Sequence, residues 1–197
     1  MRVLFYGGAF SPPHLGHEKL LRFAINELNP DLTLVVPTAI SPHKQKAEVS
    51  FFHRCRMAHS LKKCGKNVVI SEIEKGKRKS FTLKSIKYIK KRYKNPEILL
   101  LLGSDMLTTF DEWHRFRRIL SMCTLVAARR GDKTDVDMEN AAIMLEKAGG
   151  KVILLDFCPL DISSTELREV IKSDLQTTEY LAEDVRKYIE KNSLYRR

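Results

Sequence analysis

Three glycines, two prolines and two histidines crowd into one short stretch near the start of the chain: Gly7-Gly8-Ala9-Phe10-Ser11-Pro12-Pro13-His14-Leu15-Gly16-His17. An apolar run, Val3–Tyr6, precedes it and reads as a buried strand. Apolar positions at Leu20, Leu21, Ala24, Ile25 and Leu28 follow it with helical spacing. Glycines at a strand end permit tight turning and close backbone approach to a ligand. The first turn of a helix offers unpaired N–H groups and a positive dipole end, a setting that suits phosphate. His14 and His17 project from one face of that turn, where imidazole N–H groups can donate to phosphate oxygens. Two histidines alone would read as capping or surface residues; the whole string after a strand is what points to phosphate.

A second group stands late in the chain, Ile162-Ser163-Ser164-Thr165-Glu166-Leu167-Arg168. Hydroxyls and amides at a helix start suit a polyphosphate, and Arg168 can bind phosphate bidentately. Ser163 with Glu166 three residues on is also the pattern of a capping box. Between the two groups lie isolated candidates: His43 and Lys44 in a Pro/Ser/His/Lys-rich loop, Thr82, Gly103-Ser104-Asp105, and Trp113. Each has a plainer alternative. Lys44 and His43 read as surface residues, Asp105 as a helix cap, and Trp113 as a core or rim aromatic.

The elements that would position these residues alternate along the chain. Strands are expected at Val3–Tyr6, Leu32–Val36, Val68–Ile73, Glu97–Leu102, Thr124–Ala128 and Val152–Leu155. Helices are expected at 15–28, Phe51–Lys63, Ser80–Tyr93, Trp113–Leu120, Val136–Ala148, Thr165–Lys172 and Glu179–Lys191, with Asn29-Pro30, Asn95-Pro96 and Gly149-Gly150 as breaks. Strand–helix alternation predicts an α/β fold, a Rossmann-like doubly wound parallel sheet with helices on both faces. In such sheets ligands lie outside the carboxyl ends of the strands, where strand order reverses. We expect one domain over residues 1–197, with helices in 164–191 packed on it.

The chain has 197 residues, 43% of them apolar and 30% charged, as is ordinary for a soluble globular protein. The net charge of +11 invites anions, although a solvated lysine surface explains it equally well. The basic stretches Lys75–Lys79 and Lys84–Lys94 lack the interleaved aromatics of a single-strand nucleic-acid platform, so nucleic acid is not expected as a partner. Cys55, Cys64, Cys123 and Cys158 have no metal-ligand or C-x-x-C spacing and read as free thiols of a reducing compartment. The start has no signal-peptide form, and the longest aliphatic run, Ile98–Leu102, is too short for a bilayer. A cytoplasmic protein without a membrane partner is expected, and a homo-oligomer is left open.

The string Gly7–His17 resembles the phosphate-binding signature of the nucleotidyltransferase superfamily that includes nicotinate-nucleotide, pantetheine-phosphate and cytidylyl transferases. It is similar also to the H-x-G-H motif of class I aminoacyl-tRNA synthetases, but a K-M-S-K-S-type loop is missing. Ile162–Arg168 resembles the I-S-x-T-x-x-R signature of the same superfamily. Four further segments resemble the bacterial nicotinate-mononucleotide adenylyltransferases: Pro37–Lys44 (P-P-H-K), Ser80-Phe81-Thr82 (S-Y-T), Gly103-Ser104-Asp105 with Trp113 (G-x-D … W), and Tyr188–Arg196 (Y-I-x-x-x-x-L-Y-R). The resemblance spans essentially the whole chain. Departures are Ala9 for Thr, Ser11 for Asp, Phe81 for Tyr, and Arg129-Arg130-Gly131 without a Pro before the glycine.

The resemblance implies transfer of AMP from ATP to nicotinate mononucleotide, with Mg²⁺ accompanying ATP and no dedicated protein metal ligands. It implies catalytic roles for His14, His17, Lys44 and Arg168. It places Gly7, Gly8, Ala9, Phe10, Gly16, Ile162, Ser163, Ser164 and Thr165 around ATP. Thr82, Gly103, Asp105, Trp113 and Arg130 fall around the mononucleotide, with Trp113 stacked on the pyridine ring. Nicotinamide mononucleotide or pantetheine phosphate as acceptor, and a non-catalytic nucleotide- or RNA-binding module, are the alternatives.

Overall fold

The computed structural model describes residues 1–39, 48–76, 81–129, 134–157, 160, 162–173 and 179–196. His43, Lys44, Ser80, Arg130, Gly131 and Cys158 lie outside the described residues. Six strands form one sheet: β1 (Arg2–Gly8), β2 (Leu32–Pro37), β3 (Val68–Ile70), β4 (Glu97–Leu102), β5 (Thr124–Ala128) and β6 (Val152–Leu155). Their order is β3-β2-β1-β4-β5-β6, and every pairing is parallel. The chain thus winds outward from β1 through β2 to β3, then crosses to the other side of β1 and winds outward again. Strand order reverses between β1 and β4, where Tyr6 stands opposite Leu101.

Parallel strands buried on both faces need apolar residues at consecutive positions, and Val3-Leu4-Phe5-Tyr6 and Ile98–Leu102 supply them. Alternate residues divide between two cores. Val3, Phe5, Leu34 and Leu100 pack with helices α3 (Thr82–Arg92), α4 (Ser104–Thr108), α5 (Phe116–Leu120) and α6 (Thr134–Lys147). Leu4, Tyr6, Val35 and Leu101 pack with α1 (Leu15–Leu28) and the end of α2 (Phe51–Ala58). A third cluster joins Met57 of α2 to Leu167 and Ile171 of α7 (Ser164–Lys172) and to Val185 and Ile189 of α8 (Glu183–Lys191).

Several boundaries differ from expectation. β1 runs on through Gly7 and Gly8, which pair with Val36 and Pro37, so the glycines end the strand and the turn begins at Ala9. The expected helix Phe51–Lys63 becomes α2 followed by a 3₁₀ stretch, His59–Cys64, ahead of Gly65, a common way for a helix to tighten at its end. The third strand stops at Ile70 instead of Ile73. Trp113 is not helical: it follows a 3₁₀ turn, Phe110–Glu112, and α5 begins only at Phe116, after Arg115 in a left-handed conformation (φ 58°). The short helix α4 was not expected, and α8 begins at Glu183 instead of Glu179.

Candidate active site

The connection from β1 to α1 is built from packing outward. Phe10 has a left-handed backbone (φ 47°), unusual for a bulky residue, and its ring is almost wholly buried. The ring stands edge-on to Tyr6 and to His17, at 5.4 and 5.2 Å between centroids. A Cβ on Gly8 would lie 3.0 Å from it, so the glycine gives the Phe10 ring its room. After Phe10 the chain passes a cis Ser11–Pro12 bond and stays buried through His14, the N-cap of α1.

The two imidazoles lie 3.7 Å apart, tilted by 49°. Gly16 makes room for them, since a Cβ there would come 2.9 Å from His14 Nδ1. His17 Nδ1 accepts the His14 backbone N–H at 3.2 Å, so the neutral ring carries its proton on Nε2. Burial drives the His14 pKa down to about 4, with Glu166 pulling weakly the other way. His14 is therefore neutral at physiological pH. Its Nδ1 is buried without a hydrogen-bond partner, and a proton on Nε2 leaves only a lone pair unpaired there. Both rings can thus present Nε2–H donors. Not all the amides expected to be open are open: Leu15 donates to the Tyr180 carbonyl at 2.8 Å, and His14 to His17.

The late group reaches this loop from α7. Ser164 Oγ donates to Pro12 O at 2.9 Å. Arg168 Nη1 donates to Ser11 O and Ser164 O, both at 3.0 Å, and Nη2 to Thr165 Oγ1 at 3.1 Å. Ile162 Cγ2 would lie 3.5 Å from a Cβ on Gly16, so the two helix starts abut. The capping box is formed: the Glu166 carboxylate accepts from the Ser163 amide (2.8 Å) and hydroxyl (2.7 Å), and its pKa is lowered by those bonds. Capping and proximity to the glycine loop are therefore both real. At position 11 the serine hydroxyl is 3.1 Å from the buried phenol of Tyr195, whose pKa burial raises to about 12.

Thr82, Gly103, Asp105 and Trp113 sit at other strand-end loops. Thr82 is the first residue of α3, whose third amide, Lys84 N–H, already donates to Phe81 O at 2.8 Å. Phe81 and His114 stack at 5.0 Å and so bring the Thr82 and Trp113 segments together. Trp113 itself packs on Phe110 at 4.9 Å and remains half-buried. Gly103 follows β4 beside the strand-order reversal, and Asp105 is close enough to Tyr6 to raise its pKa, after burial and Cys64. Asp105 therefore faces the same end of the sheet as the histidines.

Sequence reasoning missed Arg54. Its side chain is 2% exposed and reaches the Ala9 carbonyl behind the glycine loop, at 2.8 Å from Nη1. Arg54, Met57, Ala58 and Leu61 are buried at positions i, i+3, i+4 and i+7, a stripe that marks Arg54 as inward-facing. Among the described residues no three His, Cys, Asp or Glu side chains gather as a metal-ligand set. No helix of the described residues is long and apolar enough to cross a membrane.

Known proteins resemble this chain in sequence and in fold. The cytidylyltransferase-like family pattern matches residues 5–170. A probable nicotinate-nucleotide adenylyltransferase of Chlorobium limicola is 33% identical, covering 100% of both chains. One from Fusobacterium nucleatum subsp. nucleatum is 28% identical over 97% of this chain and 98% of its own. The fold is shared with Plasmodium falciparum nicotinic acid mononucleotide adenylyltransferase complexed with NaAD, at a TM-score of 0.82 and 21% identity over 98% and 97% of the two chains. The chain belongs to the cytidylyltransferase-like nucleotidyltransferases and, within them, to the nicotinate-nucleotide adenylyltransferases.

Proposed function

We propose that the chain transfers AMP from ATP to nicotinate mononucleotide, releasing pyrophosphate, with the site at the carboxyl ends of β1 and β4. The observation that carries the reading is the histidine pair, His14 of it neutral, packed over a glycine-bounded loop and tied by Arg168 and Ser164 to the start of α7. A phosphate oxygen of the mononucleotide attacks the α-phosphorus of ATP. The bond from that phosphorus to the α–β bridging oxygen breaks, and pyrophosphate leaves with the electron pair. The attacking group is already an oxyanion near neutral pH, so no general base is required. Catalysis is then alignment plus stabilisation of charge on the phosphates.

His14 and His17 donate from Nε2 to ATP phosphate oxygens. Gly7, Gly8, Ala9, Phe10 and Gly16 form the close-fitting backbone beneath them. The Thr165 hydroxyl, the first-turn amides of α7 and Arg168 receive the departing β- and γ-phosphates, while Ser163 and Ser164 hold the helix start in place. Lys44 and Arg130 are assigned to the acceptor phosphate side on the family's pattern. The acceptor's pyridine ring stacks on Trp113, its carboxylate meets the amide of Thr82, and Gly103 and Asp105 lie toward ribose.

Nucleotidyltransferases take a divalent metal with ATP, and we assign Mg²⁺. When bound it would neutralise phosphate charge, held through the ATP oxygens and waters. Cys55, Cys64 and Cys123 are buried thiols with pKa values raised by burial to about 11, 11 and 12, so they stay protonated at neutral pH, and we assign the activity to the cytoplasm. We assign the activity to one domain over 1–197. The test is pyrophosphate release with ATP, Mg²⁺ and each acceptor in turn. Release with nicotinate mononucleotide and not with phosphopantetheine is expected; the reverse overturns the assignment.

A further inference from the structure

Arg54 is a buried charge for which the reaction described above has no role. Its Nη1 donates to Ala9 O (2.8 Å), its Nη2 to Ala39 O (2.9 Å) and its Nε to Val49 O (3.3 Å). Its guanidinium carbon lies 5.6 Å from the centre of the Phe51 ring. Among the described residues it has no carboxylate partner. Its charged-state neighbours are the Cys55 thiol and the Tyr195 phenol, both neutral at physiological pH, and burial lowers its own pKa. A buried cation without a counter-ion is costly, and bonds to carbonyls offset only part of that cost. A chain that needed only filling at this point would do better with an apolar side chain.

The three carbonyls identify what the charge does. Ala9 begins the turn that carries Phe10 to His17, whereas Ala39 follows the end of β2. The two segments also touch through the backbone, where Thr38 N–H donates to Gly8 O at 2.9 Å. Guanidinium is planar and forked, so one group can hold two backbone segments at a fixed spacing; an ammonium on a flexible stem cannot do the same.

We propose that Arg54 is a positioning residue of the nucleotidyl-transfer site, a clamp fixing the Ala9 turn to the segment just past β2 at Ala39. The proposal rests on the adenylyltransferase reading for its kinetic consequence and on the hydrogen bonds alone for the clamp. Without the clamp the reacting phosphates misalign although the groups that bind them remain.

The test compares wild type with Arg54→Lys and Arg54→Met, each assayed well below its own Tm for pyrophosphate release, with amide exchange at Thr38 followed in parallel. Both variants should lose about 10²-fold in kcat, the scale of a one-ångström misplacement, with KM for ATP changed by less than about threefold. Thr38 should exchange about tenfold faster or more in both. A residue serving only stability would lower Tm and leave kcat of the folded enzyme unchanged. If Arg54→Met fails to fold, Arg54→Lys decides. A lysine variant with kcat within about twofold of wild type overturns the proposal, as does a loss confined to KM. If wild type releases no pyrophosphate while Thr38 exchange still accelerates, the substrate reading falls and the clamp stands.

Discussion

The two ends of the proposed site are held in different ways. The phosphate end is cross-braced by polar bonds between residues far apart in sequence: Ser164 to Pro12, Arg168 to Ser11, and Ser11 to Tyr195. The acceptor end is held by ring packing, Phe81 on His114 and Trp113 on Phe110, and by local bonds such as those from the Thr108 and Thr109 hydroxyls to Asp105 O. Directional bonds fix positions, as stabilising charge on a phosphate requires. Ring contacts tolerate sliding and repacking at low cost. The phosphate end is thus pre-formed, whereas the acceptor end can adjust. The division fits a family in which one phosphate signature serves several acceptors.

The contrast can be tested from either side. His17→Ala should have the largest effect, a loss of about 10²-fold or more in turnover in a steady-state assay, because it removes a donor fixed in place. Near wild-type turnover would take His17 out of the mechanism. His14 should next make itself felt in stability. Its folded pKa of about 4 lies below the usual 6.5, so the unfolded chain binds the proton first as pH falls. Stability is complete above about pH 6.5 and declines toward pH 4, by ~3 kcal/mol at most. Urea melts across that range should show the slope, and His14→Asn should lack it. Activity, for its part, should show no acidic limb near pH 6.5 from His14.

At the acceptor end, Trp113→Ala should raise KM for the pyridine nucleotide by about three- to tenfold and leave that for ATP nearly unchanged. If both KM values stay put, Trp113 is a packing residue only. The smallest effect belongs to Tyr195→Phe, which removes one brace of the phosphate end. It should cost ~1 kcal/mol in chemical denaturation and leave kcat almost intact. A large kcat loss there would mean that the braces act one by one and not as a set.

What the sequence reveals follows the same divide. The sheet and the two signatures could be read because each is local: an apolar strand, a glycine string, a helix start. Trp113 falls in the expected helix because Phe116, Ile119 and Leu120 supply helical spacing that Trp113 extends in sequence, whereas Arg115 takes a left-handed turn just before them. Helix α4 has only five residues, too few for a period to emerge. The Gly7-Gly8 pair reads as a turn, yet both residues close β1, and Gly8 leaves room for the Phe10 ring, a contact that only tertiary packing discloses. No motif singles out Arg54 as a contact of the glycine loop. Two of the three carbonyls it holds lie 45 and 15 residues away, beyond any local pattern.

The bonds from Tyr180, Arg168 and Tyr195 back to residues 11–15 also bear on the order in which the protein is made. All six strands precede residue 156, so the sheet can pair before the last helices have left the ribosome. The glycine loop at its carboxyl end already has its Arg54 and Thr38 contacts, but lacks the anchors from α7 and the C-terminal residues until residues 164–195 emerge. A nascent chain stalled after β6 would carry both histidines on a nearly finished sheet and still have no firm grip on ATP.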